Sequence, residues 1–109
     1  MEARLKTGLW VAALVRRYDR EAIPAVVARR GDPDAGAVLV KVNRRDAGCT
    51  VFARERGADD TLAWQPVSGE GIPEAEADAY ISRQIGRDPD LWVVEVEDRA
   101  ARPLFRDMI

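Results

Sequence analysis

The chain has 109 residues, 47% apolar and 33% charged, a composition that fits one folded domain spanning 1–109 and excludes a disordered segment. A net charge of -2 and an isoelectric point near 5.2 exclude a non-specific nucleic-acid binder, which needs a basic excess to release counterions. Histidine is absent and cysteine occurs once, as Cys49, so Ser-His-Asp and Cys-His nucleophiles, His-ligated zinc and an internal disulfide are all excluded.

The N-terminal pattern predicts a helix from about Leu5 to Glu21, with Thr7 as its N-cap. Leu5, Gly8, Val11, Ala12, Val15 and Tyr18 share a broad face, Leu14 widens it, and Leu9 and Trp10 carry apolar surface to the far side. So wide a surface fits a core helix laid on a sheet. A sharper reading has Trp10 or Leu14 meeting a second subunit. The apolar run Gly8 to Val15 is too short to span a bilayer and no signal-peptide pattern precedes it, so no membrane association and a cytoplasmic location are expected.

Ile23-Pro24 ends the helix, because a residue before proline leaves helical backbone. Strands are expected at Ala25 to Arg29 or Arg30 and at Ala37 to Asn43. Between them Gly31-Asp32-Pro33-Asp34-Ala35-Gly36 is turn chemistry, so the two read as a hairpin with Arg29, Arg30, Asp32 and Asp34 at its tip. Apolar residues in both phases of the second strand, Val38-Val40-Val42 and Ala37-Leu39, mark it as an interior strand. A turn at Arg44 to Gly48 leads to a third strand, Cys49 to Arg54. A charged loop then leads to a short fourth, Thr61 to Pro66, whose Trp64 is expected to be partly exposed.

The second helix is marked by Pro73 at its start, Glu74, Glu76 and Asp78 near its positive end, and Gly86 as a C-terminal cap. Its buried stripe is Ala77, Ile81 and Ile85, with Tyr80 beside them. Pro89 stops it, and a fifth strand runs from Leu91 to Glu97. Residues 98–109 read as a loosely docked tail. The fold class is therefore α+β, with five mostly antiparallel strands and two helices packed on the sheet, in the order α-β-β-β-β-α-β. The first four strands are expected as an antiparallel meander.

Asp32-Pro33-Asp34 and Asp88-Pro89-Asp90 each run into an apolar strand. Different elements precede them, so this is one turn chemistry used twice, not a duplicated unit.

No catalytic residues, metal ligands or cofactor site emerge. Asp32 and Asp34, or Glu95, Glu97 and Asp98, offer oxygen ligands, but no loop has calcium-loop spacing. Cys49 opens its strand as a small buried hydrophobe. The charged tip of Arg29, Arg30, Asp32 and Asp34 is the candidate contact for a ligand or partner. Trp10, Leu14 and Trp64 are the candidate interface residues.

Three blocks carry a family resemblance. They are Leu5-Lys-Thr-Gly-Leu-Trp-Val-Ala-Ala-Leu-Val-Arg-Arg-Tyr18, then Arg30-Gly-Asp-Pro-Asp-Ala-Gly-Ala-Val-Leu-Val-Lys-Val-Asn43, and Pro73 through Asp98. In this order they resemble a bacterial family of uncharacterised proteins, domain of unknown function 1491. Residues 54–72 carry little of the likeness. The resemblance implies a bacterial, soluble, single-domain protein and brings no activity, cofactor or catalytic residue. The function expected is a protein-interaction module, with a homodimer as its simplest form. The alternatives are a small-ligand-binding or regulatory domain and, last, a His-free enzyme.

Overall fold

The structure is a computed structural model that describes residues 5–108. Two helices, α1 (Thr7–Arg20) and α2 (Glu74–Arg87), cover opposite faces of a sheet built from β1 (Ala25–Arg29), β2 (Val38–Asn43), β3 (Cys49–Arg56), β4 (Leu62–Pro66) and β5 (Trp92–Glu97). The order along the chain is α-β-β-β-β-α-β, and the fold is α+β. Among the described residues no helix is long and apolar enough to cross a membrane.

Strand order in the sheet is β1-β5-β2-β3-β4. The expected β1–β2 hairpin does not form, because β5 lies between them, antiparallel to β1 and parallel to β2. The meander is therefore three strands long, β2-β3-β4, all antiparallel. The reason is burial. Trp92, Val93, Val94 and Val96 of β5 are all buried, which only an interior position with both faces covered provides. The loop that looked like a hairpin tip instead passes over the start of β5.

Alternation along the strands sorts side chains to the two faces. Val40, Val42, Trp92, Val94 and Val96 meet Trp10, Val11, Leu14 and Tyr18 of α1. Leu39, Val51, Leu91 and Val93 meet Ala77 and Ile81 of α2. Trp64, expected partly exposed, is only 4% exposed. It stacks on Trp10 with ring centroids 5.5 Å apart, and Phe105 closes over it at 5.1 Å.

Phe105 belongs to the segment after β5. Tyr18 holds that segment, donating its hydroxyl hydrogen to Arg102 O at 2.7 Å and accepting from Leu104 N at 3.2 Å. Burial pushes the Tyr18 phenol up to about 12. At the start of the segment, Asp98 accepts from the Arg102 guanidinium and from the Arg102 and Ala100 amides. The Arg102 hydrogen bond leads the causes that hold the Asp98 carboxyl below its ordinary value. Gly86 is not the cap of α2. It lies inside the last turn, and Asp88 ends the helix with its amide donating to Gln84 O.

Candidate functional site

The loop 30–37 is where the charged candidates lie, and it holds two elements in place. The amide of Asp32 donates to Asp90 O at 2.9 Å, and the amide of Trp92 donates to Ala37 O at 2.9 Å. The Trp92 indole N–H donates to Asp32 O at 2.7 Å. On its other side the loop replaces the side-chain cap that α1 lacks. Thr7 N and Gly8 N donate to the carbonyls of Asp34 and Pro33, satisfying amides that a helix start leaves open. Thr7 is thus the first helical residue, and its hydroxyl donates to Gly36 O at 2.8 Å.

Each of the four charged residues has a partner within the chain. Arg29 donates to Pro89 O, and Arg30 lies over the Trp92 ring at 5.4 Å. Asp32 accepts from the Ala35 amide in a local turn, and Asp34 pairs with Lys6 at 3.6 Å on the surface. Arg29 and Arg30 stand at the C-terminal end of β1, while Asp34 faces the start of α1. The candidate interface residues Trp10, Leu14 and Trp64 are 4%, 0% and 4% exposed, so their surface is taken up by internal packing.

A second polar cluster escaped the sequence. Lys41, at the middle of β2, is 3% exposed. Its ammonium donates to Glu74 and Asp78 of α2 at 2.7 Å each and lies 3.5 Å from Glu95 of β5. Burial alone would lower the lysine pKa. The hydrogen bonds it donates to Asp78 and Glu74 and the charge of Glu95 outweigh it and leave the pKa raised. Lys41 is held as a cation, so it is neither nucleophile nor base near neutral pH; it ties α2 to the sheet. A polar cleft of about 500 Å³ beside it is lined by Asn43, Arg45, Cys49, Glu74 and Glu97. Cys49 is buried there, and burial raises its thiol pKa despite Lys41, so it is not an activated thiolate. Among the described residues no group of three or more His, Cys, Asp or Glu could hold a metal ion.

The signals for this cluster were present but separate. Glu74 and Asp78 are one helical turn apart. Lys41 interrupts an apolar phase, and Lys41 opposite Glu95 is a matter of strand register.

The sheet also has two edges, and they differ. At β4 the Trp64 carbonyl accepts from Arg106 and the strand ends in Pro66, both devices that blunt an edge. At β1 the Glu97 amide donates to Pro24 O, so Pro24 and, by the alternation of an antiparallel ladder, Val26 turn their backbone groups inward. Ala25 and Val27 therefore point theirs outward. Val26 and Val27 are 58% and 38% exposed. Beside them runs a groove of about 830 Å³ between β1 and α1, lined by Ala12, Val15, Arg16, Asp19, Val27 and Arg30.

The comparisons with known proteins agree with this architecture. The sequence profile described as "Protein of unknown function (DUF1491)" matches residues 5–106. The crystal structure of a DUF1491 family protein from Caulobacter crescentus CB15 is 43% identical, covering 93% of this chain and 94% of that one, with a TM-score of 0.83. An NMR structure of a DUF1491 family protein from the same organism is 45% identical over 94% of each chain, with a TM-score of 0.79. The solution structure of protein Atu0922 from A. tumefaciens is 30% identical over 88% of this chain and 87% of that one, with a TM-score of 0.72. No curated protein matches the chain. The chain belongs to the DUF1491 family of proteins of unknown function.

Proposed function

We propose that the protein is a protein-interaction module that takes an extended partner strand onto the outer edge of β1. The observation that supports this reading is the open pair of backbone groups at Ala25 and Val27, flanked by the exposed side chains of Val26 and Val27. Strand addition draws affinity from main-chain hydrogen bonds and specificity from neighbouring side-chain pockets. Here the α1–β1 groove is the pocket, and Arg29 and Arg30 place positive charge at one end of the docking edge.

A photo-crosslinking side chain in place of Val26, introduced in the cells that make the protein, tests this. Discrete adducts are expected from Val26 and none from a control at Ala79, which is exposed on α2. No adduct at Val26, or equal labelling at both positions, counts against the reading.

A second reading, a small-ligand site, is favoured by a groove of about 500 Å³ lined by Leu5, Leu62, Trp10 and Trp64. The Arg54 guanidinium lies over both indoles there, at 5.9 and 5.7 Å. A screen of planar carboxylates by tryptophan fluorescence tests it: saturable quenching is expected, and its absence across the screen opposes the reading.

A further inference from the structure

We infer that the strand received by β1 is β1 of a second copy of this chain, paired antiparallel about a two-fold axis through Val26. This rests on the reading of β1 as the docking edge and names its partner.

The register follows from which backbone groups are free. Only Ala25 and Val27 face outward between two interruptions. On one side is Pro24, which has no N–H. On the other is the irregularity between Val27 and Arg29, where the register to β5 shifts. A two-fold axis at Val26 sets Ala25 of one copy opposite Val27 of the other, twice. All four outward N–H groups and all four outward carbonyls are then satisfied in four hydrogen bonds. An axis at Val27 would set Ala25 opposite Arg29, which lies beyond the shift. The open window of β1 is therefore complementary to itself at one register. Val26, the most exposed of the strand's valines, then packs against Val26 of the second copy.

Charge points the same way. Arg29 and Arg30 follow the window, while Asp19 and Glu21 precede it. Antiparallel pairing therefore brings the basic end of one copy toward the acidic end of the other. Parallel addition would bring the arginines of both copies side by side. A two-fold axis perpendicular to the sheet also keeps both α1 helices on one face. The two α1–β1 grooves then meet over the joint, each bringing Arg16 and Asp19, a cation and an anion.

The test combines mass and register. Light scattering behind size exclusion is expected to give twice 12.1 kDa for the wild-type chain at high concentration. Val26→Lys, a surface change on an edge strand, is expected to give the monomer, with the unfolding midpoint of the wild-type chain at low concentration, where both are monomeric. Val26→Cys is expected to form an inter-chain disulfide on oxidation, because residues opposite each other in such a pair have Cα atoms about 4.5 Å apart, within disulfide reach. Ala28→Cys is expected not to, because in this register its two copies sit four residues out of line, about 14 Å. The buried Cys49 does not compete.

A monomer at every concentration overturns the second copy. So does a dimer that Val26→Lys leaves intact, or equal crosslinking at positions 26 and 28. The underlying reading fails separately. Adducts from the Val26 photo-crosslinker at a mass other than twice the chain would retain the docking edge and reject self-association, and no adduct would reject both.

Discussion

The amide of Asp32 donates to the carbonyl of Asp90 across 2.9 Å, joining the two Asp-Pro-Asp motifs of the chain. The contact sits where the β1–β2 connection crosses the start of β5. It explains why two glycines flank the first motif. A Cβ added to Gly31 or to Gly36 would overlap the Asp90 carbonyl, which is backbone and cannot swing aside.

Gly31→Ala is therefore expected to destabilise the fold by about 2 kcal/mol or more, the range of substitutions that force backbone strain. Gly86→Ala is the contrasting case. Nothing lies within 4 Å of the added Cβ, and Gly86 is helical. A stabilisation of up to about 1 kcal/mol is expected. Urea unfolding of both variants measures the contrast.

Lys41→Met is expected to cost about 1–3 kcal/mol at neutral pH, because three carboxylates lose their shared cation. The cost stays below that of a fully buried pair, since Glu74 and Asp78 are more than half exposed and can recruit water. The raised Lys41 pKa sets the alkaline behaviour. Its stabilisation is fully present below the ordinary lysine value of 10.5 and is lost as pH climbs through the higher folded value. Unfolding curves of wild type and Lys41→Met are thus expected to converge above about pH 10.5.

Tyr18→Phe removes a buried hydroxyl that both donates to Arg102 O and accepts from Leu104 N. A loss of about 1–2 kcal/mol is expected. It should appear first as faster exchange of the Leu104 amide, because the segment that carries Phe105 hangs on that hydroxyl.

Asp98→Asn tests the acid limb. The Asp98 carboxyl is held below its ordinary value, so its contribution is present above that value and is lost as pH falls through the lower folded pKa. The variant is expected to be less stable than wild type at pH 7 and to show a shallower decline below about pH 4. Identical acid limbs would contradict the assignment.

The helices and strands were legible because their periods are local, and Ala77 with Ile81, or Val40 with Val42, needed no partner to be read. Strand order was not. Gly31-Asp32-Pro33-Asp34 carries the same residues whether it turns a hairpin or bridges over Asp90, and only the burial of β5 separates the two. The burial of Trp64 is illegible for a related reason: the residue that covers it, Phe105, is 41 positions away in sequence. The Lys41 cluster gathers side chains from β2, α2 and β5, and only its Glu74–Asp78 spacing is visible along the chain. The β1 edge could not be read at all, since edge status exists only once β5 has taken its place. Arg29 and Arg30, a hairpin tip by sequence alone, stand instead at the end of that edge.

The most direct measurement is the exchange of the β1 amides at low and high protein concentration, followed by NMR. Val26 points inward and is expected to be protected at both. Ala25 and Val27 are expected to be fast at low concentration and to gain protection together as concentration rises. Fast exchange of Ala25 and Val27 at every concentration would contradict the pairing of β1 with a second copy.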